Sequence, residues 1–254
     1  MQAAFLGIDL AWSARNASGV ATLCLRNGRA ELVELPALVR TDDEIVAFVA
    51  AYADCTPLVV AVDAPLCVPN LTGKRLGDAL VSKAFSKYSA GAHPANRTLL
   101  SKYNNGIPRG EALIERLATL HVQHTPFLSA QQAVRCAFEV YPHAAMIGLF
   151  GLTRALRYKR KPKLSRTAQE SAWRQYAACL SGLAQVTPPL DLPEALLQAV
   201  WSKAEEDKRD AVLCAYIALH YWWHGSAFWE VYGTLDEGYI VAPRLAFGDS
   251  ARES

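Results

Sequence analysis

Five carboxylates occupy positions where a fold can use them. Asp9 interrupts the apolar run FLGIDLA (5–11), and Asp63 closes a second run within PLVVAVDAPL (57–66). A carboxylate beside buried apolar chain is costly unless it is paired, hydrogen-bonded or bound to a metal. Glu139 stands near the end of AVRCAFEVY (133–141), and Asp207 and Asp210 lie three apart in DKRDAVLCAY (207–216). At that spacing both can leave one face of a helix. Clustered oxygen donors without cysteine suit Mg²⁺ or Mn²⁺. His143, four residues beyond Glu139 in EVYPHA, can shuttle a proton or touch a phosphate at the same edge. Plainer roles exist for most of them: Asp207 and Asp210 as acids at a helix N-terminus, Asp63 as a turn residue, Glu139 as the partner of an arginine. Asp9 is the hardest to explain in that way.

The basic residues are unevenly spread although the net charge is only +2. Between Lys74 and Arg109 lie seven basic residues and one acid, Asp78; between Arg154 and Arg166 lie seven and no acid. Such runs fit a phosphate-binding surface, because each neutralised phosphate releases a counterion, and they also fit a solvated loop. Lys74, Arg75, Arg97, Lys159 and Lys161 are the candidates to hold a phosphate backbone. The pairs His220/His224 and His121/His124 have zinc-ligand spacing, but no Glu follows His220 as the H-E-x-x-H pattern requires, so a polar patch is the better reading. There is no G-x-S-x-G elbow, Walker loop or G-x-G-x-x-G after a strand.

These residues need elements to carry them. The run 5–11 reads as a central strand buried on both faces. Val20–Leu25 and Glu31–Leu35 read as a hairpin around Asn27-Gly28, a residue pair that favours a two-residue turn. Thr41 and Glu44 form a capping box before a helix containing Ile45, Phe48, Val49 and Tyr52. That helix returns the chain to a fourth strand, parallel to the first. Asp9 and Asp63 then leave one carboxyl-terminal edge from strands about 4.8 Å apart, close enough to share a cation. Residues 64–133 read as a mainly helical insertion, with Glu111–Val122 as its clearest helix. A fifth strand follows at 133–141, then helices at 167–184, 193–201 and 206–224, and a hairpin of 229–232 with 239–241.

With 254 residues, 52% apolar and 20% charged, the chain suits one large α/β domain. Residues 211–229 hold no Lys, Arg, Asp or Glu, but His220, His224, Gly225 and Ser226 favour a core helix over a membrane span. The six scattered cysteines include no C-x-x-C pair, and the N-terminus lacks a basic signal region. A reducing, cytoplasmic location is expected.

The motifs GIDLAW, AVDAPL with VPN, GAHPANR, EVYPHA, KRDAVLCAY and GYIVAP, from Asp9 to Pro243, resemble the signatures of the domain of unknown function 429 family. That resemblance implies an RNase H-like nuclease on a mixed five-stranded sheet with helices on both faces. Acids on the first strand, the fourth strand and a late helix are similar to the RuvC-type resolvase arrangement. Carried over, Asp9, Asp63 and Asp210 would be metal ligands for Mg²⁺ or Mn²⁺, with Asp207 and Glu139 as further candidates. The expectation is a metal-dependent nuclease acting on nucleic acid. One alternative is a non-catalytic nucleic-acid or nucleotide-binding protein. A weaker one is an ATP-dependent phosphotransferase, since Leu10 and Trp12 crowd the loop where a phosphate cradle would form. No protein partner can be inferred.

Overall fold

The computed structural model describes residues 3–104, 106–162 and 164–245. Lys163, within the second basic run, lies outside the described residues. The first strand, β1 (Ala4–Asp9), is central. It pairs antiparallel with β2 (Ser18–Arg26) and parallel with β5 (Leu58–Val62), which explains its unbroken apolar sequence. Between β2 and β3 (Arg29–Leu32), Asn27 and Gly28 both adopt positive φ, as a two-residue hairpin turn requires. β3 ends earlier than its composition suggests: the Val33 N–H still donates to the Thr22 carbonyl at 3.0 Å, but the Val33 and Leu35 side chains are exposed. β4 (Ala37–Val39) then pairs with the start of β2. The capping box forms at α1 (Asp42–Ala50): Glu44 N–H donates to Thr41 Oγ1, and Thr41 N–H to Glu44 Oε2.

After β5 the chain forms α2 (Leu76–Phe85), α3 (Arg97–Leu100), α4 (Arg109–Ala118) and β6 (Gln123–His124); less than half of residues 64–133 is helical, so loops outweigh the mainly helical insertion expected. β7 (Arg135–Glu139) lies parallel to β5, and α5 (Pro142–Phe150) follows it. Next come α6 (Arg166–Ser181), β8 (Leu190–Asp191), α7 (Glu194–Leu197), α8 (Lys203–His224), β9 (Trp229–Thr234) and β10 (Gly238–Pro243).

The sheet order is β6-β7-β5-β1-β2-β3-β8, with β4 beside β2; β9 and β10 form the expected hairpin as a second sheet. The five strands anticipated from sequence are β1, β2, β3, β5 and β7. The large sheet nevertheless has eight strands, because β4, β6 and β8 span only two or three residues and have no periodicity to read. Helices cover both faces. On one, α8 packs against Phe5, Ala21, Val59 and Phe138, with Tyr176 and Leu180 of α6 in the same cluster. On the other, Ile45 and Val49 of α1 and Leu113 and Leu117 of α4 meet Leu6, Ile8, Val60 and Val62.

Two helix limits depart from expectation. α8 begins at Lys203, capped by Ser202 Oγ, so Asp207 and Asp210 lie inside the helix and not in its first turn; Glu205 and Glu206 hold that turn. The stretch 193–201 is helical only over Glu194–Leu197. The fully buried Arg209 guanidinium takes up the Leu196 and Leu197 carbonyls and lies 3.6 Å from the Trp173 ring centre. Among the described residues no helix is long and apolar enough to cross a membrane, and all six cysteines are free.

Candidate functional site

Strand register brings the first two carboxylates together. Ile8 pairs with Val62, and the Asp63 N–H donates to the Ile8 carbonyl at 2.8 Å, so Asp9 and Asp63 extend two parallel strands side by side. Side chains alternate along a strand, so Phe5, Gly7 and Asp9 share one face of β1, and Val59, Ala61 and Asp63 share the matching face of β5. That face meets α8. Gly7 and Gly19 set how closely the helix approaches. A methyl group at Gly7 would collide with the Ala211 carbonyl and the Ala215 nitrogen, and one at Gly19 with the Asp207 carbonyl. With no Cβ there, the α8 backbone rests on the sheet and carries Asp210 to the edge where Asp9 and Asp63 stand.

Asp210 is fully buried. Its Oδ1 accepts from the Tyr158 hydroxyl at 2.8 Å and the Tyr176 hydroxyl at 3.1 Å, and its Oδ2 lies 2.8 Å from Lys159 Nζ. Burial raises the Asp9 carboxyl well above the usual range; Lys159 opposes this, while Asp210, Asp63 and Asp207 add to it. Burial lifts Asp63 to about 7, against Lys159 and with help from Asp210 and Glu139. Burial disfavours the Lys159 ammonium, but Asp210, Asp9 and Asp63 together hold it protonated. The edge is thus a group of acids balanced by one lysine. Asp9 opens into a cleft of about 560 Å³ that it shares with Asp207 and with Trp12, Arg15, Arg40 and Lys203.

The other anticipated residues fall in several places. Asp207 lines that cleft and is ion-paired to Lys203 at 2.6 Å. Glu139 leaves β7 on the face away from α8, because Cys136 and Phe138 take that face, yet at the strand end it still lines one small cavity with Asp63, whose carboxyl it helps to raise. There it pairs with Arg75 at 2.6 Å and accepts from the Leu66 N–H at 2.9 Å, which is its plainer role as an arginine's partner. Arg75 is itself buried between Glu139 and Asp78, and so is placed as a structural cation with no surface to offer a phosphate. Arg97 is bound to Glu111 at 2.8 Å, and Lys74 extends to Ser82 Oγ at 3.4 Å. Lys159 is drawn in to Asp210, whereas Lys161 is exposed.

His143 stacks between Tyr141 and Tyr158, with ring centres 5.6 and 5.8 Å away. Burial first, and Lys159 next, push its pKa down to about 3, so it stands as a neutral imidazole. Three further histidines, one from the His121/His124 pair and both of the His220/His224 pair, have ordinary partners. His220 Nδ1 accepts from Trp229 Nε1 at 3.0 Å, His224 lies 2.7 Å from the Thr187 carbonyl, and His124 lies 2.8 Å from the Tyr239 hydroxyl. Tyr158 and Tyr176 escaped sequence reasoning altogether, since a tyrosine in a loop or helix carries no local mark of the carboxylate it binds.

Asp9, Asp63 and Asp210 supply the hard oxygen donors that Mg²⁺ and Mn²⁺ prefer. Asp210 Oδ2 meets the Lys159 ammonium at 2.8 Å and takes nothing from any neutral donor among the described residues, so it is an oxygen directed at positive charge. Among the described residues, however, no three His, Cys, Asp or Glu side chains are gathered closely enough to enclose an ion. The donor chemistry suits a divalent cation, while the positive charge present at the edge is that of Lys159.

The fold and site together define a mixed α/β protein with a buried carboxylate edge at the ends of parallel strands. The model of the family described as Protein of unknown function (DUF429) matches residues 7–232, and the chain belongs to that family. The match contains Asp9, Asp63 and Asp210 and stops short of β10, where the GYIVAP motif lies. No curated protein and no solved structure matches the chain.

Proposed function

We propose that this edge hydrolyses phosphodiester bonds of nucleic acid, on a fold of the RNase H-like kind. The observation that carries the reading is the convergence of Asp9, Asp63 and Asp210, from β1, β5 and α8, around the ammonium of Lys159. Five of the eight strands supply the mixed sheet the resemblance implies, with acids on the first strand, on the fourth of those five and on a late helix. A carboxyl with a pKa of about 7 exchanges protons readily at neutral pH, which suits Asp63 to general acid–base work. The Lys159 ammonium can neutralise charge on a phosphoryl oxygen, and Tyr158 and Tyr176 hold Asp210 in place. Arg15 and Arg40 in the cleft beside Asp9 attract an anionic substrate. For Asp9, Asp63 and Asp210 to hold Mg²⁺ or Mn²⁺ their carboxylates would have to draw closer and Lys159 give way, and the ion would then supply Lewis-acid polarisation and a more acidic water.

Purified protein with Mn²⁺ is expected to cut RNA, DNA or a branched junction, and Asp9→Asn to abolish cutting with an unchanged circular dichroism spectrum. Equal cutting by the Asn variant would assign the activity to a contaminant and remove the proposal. One observation favours a second reading, a nucleic-acid-binding protein without turnover: Lys159 already balances the acids, and no closed metal cluster exists among the described residues. That reading predicts salt-sensitive binding, indifferent to metal. The loop after β1 gives little to the phosphotransferase alternative, because the Ala11 N–H is taken by Ser18 Oγ and its carbonyl by Arg109.

A further inference from the structure

Residues 154–157, 159–162 and 164, from the chain between α5 and α6, line two clefts. The smaller, about 310 Å³, is bounded by Arg154, Arg157, Lys159 and Lys161 together with His143, and no acid lines it. Its Lys159 is the same ammonium that meets Asp210. The larger, about 920 Å³, lies between this segment, α6 and the residues before α8. Arg160, Lys161, Arg166 and Arg174 bring positive charge to it, and Val200 and Trp201 bring apolar surface. Lys161 lines both clefts, so they adjoin at a cation, and a cationic path can lead from the larger groove past Lys161 to Lys159 at the acidic edge.

Two features distinguish this path from a merely solvated basic run. First, most of its charge is uncompensated, although Glu170 also lines the larger groove. Among the described residues Arg166 pairs with Glu170 and Lys159 with Asp210, while Arg154, Arg157, Arg160, Lys161 and Arg174 are exposed and take part in no ion pair. Second, Val200 is 85% exposed among these cations, beside a Trp201 whose indole N–H is anchored on Glu206 at 3.1 Å. Cations with a fixed aromatic ring and bare apolar surface match a strand whose phosphates need neutralising and whose bases are unstacked. A duplex keeps its base faces inside the stack and has nothing to lay against that wall.

We propose that the larger groove binds single-stranded nucleic acid. Phosphates rest on Arg160, Lys161 and Arg174, a base lies against Trp201 and Val200, and the strand continues over Lys161 toward Lys159 and the acids. The destination of the strand rests on the nuclease reading; the binding itself does not.

Anisotropy of a fluorescently labelled 12-nucleotide single strand, measured on the full chain in EDTA, separates the two. The Lys161→Ala/Arg174→Ala double variant should bind at least about 10-fold more weakly than the original chain, and Lys83→Ala, a cation outside the groove, should bind equally. Binding should also quench tryptophan emission, and Trp201→Phe should remove much of that quenching. Undiminished binding by the double variant would overturn the proposal, as would a duplex of the same sequence binding as tightly. Competition by poly-glutamate at equal charge concentration would do the same, since it would reduce the groove to an unspecific anion surface. Groove binding without Mn²⁺-dependent cutting would leave this inference standing and remove the nuclease. Cutting that survives loss of groove binding would leave both the groove and the nuclease standing and overturn only the strand's path from one to the other.

Discussion

At the scale of single residues, Asp63 shows how the site stores unfavourable electrostatics. Its carboxyl is lifted to about 7 by burial, with Asp210 and Glu139 adding to the effect and Lys159 and Lys203 opposing it. An acid whose folded pKa exceeds its unfolded value favours folding most below the unfolded value, and that contribution is lost as pH rises through the folded one. For Asp63 the window runs from 3.8 to about 7. Asp63→Asn removes the charge without breaking any side-chain hydrogen bond seen among the described residues. The variant should therefore be more stable than the original chain by about 1–3 kcal/mol at pH 8, with a smaller gain at pH 5. Urea unfolding at the two pH values measures this, and equal stability at both would show that the carboxyl is not strained. Loss of cutting together with this gain in stability is what a functional acid predicts, whereas a structural one would lose both.

At the scale of elements, the decisive contact is α8 lying on β1 and β2. Two glycines permit it, and neither lies in a turn or at positive φ; Gly7 and Gly19 are extended strand residues whose missing side chains make room for helix backbone. Gly7→Ala must push α8 outward or bend β1. It is expected to cost about 3 kcal/mol or more, at the top of the usual range for overpacking, because the obstacle is backbone and cannot rotate away. Any folded fraction should be deficient in cutting as well, since Asp210 would move away from Asp9. Denaturant unfolding and activity per folded molecule check both parts. A mild loss of stability with full activity would show that α8 does not position the acid. Within β7, the same two-residue alternation that gives Phe138 to the core turns Glu139 to the far side, where Arg75 meets it.

At the scale of the whole molecule, the arginines of two basic regions so similar in sequence have different fates. Around Lys74–Arg109 the lysines stay exposed, whereas the arginines are paired and two of them buried: Arg75 binds Asp78 and Glu139, Arg97 binds Glu111, and Arg109 binds Asp42. Around Arg154–Arg166 they remain mostly unpaired and line the clefts beside the acidic edge. Arg75→Met should accordingly destabilise by about 3–5 kcal/mol, since it strands buried carboxylates without a partner. Single-strand affinity of the folded fraction should not change. Thermal unfolding and anisotropy together test the division, and a variant that stays stable but binds weakly would reverse the assignment. Counting residue types along the chain cannot separate these arginines; the distance from each one to its nearest carboxylate largely does.

What the sequence determined by itself is what near neighbours decide. The apolar runs ending in Asp9 and Asp63 dictate two buried strands with acids at their carboxyl ends; Asn27-Gly28 dictates the turn, and Thr41 with Glu44 the start of a helix. Backbone preference and side-chain alternation act within a few residues, so they are legible in the order of residues. The tertiary structure alone decided that Lys159 balances the acids, that Tyr158 and Tyr176 hold Asp210, and that Glu139 and Arg75 satisfy each other. Pairing between charges distant along the chain depends on their separation in space and on how much water is excluded between them, and both exist only after helix and sheet have packed.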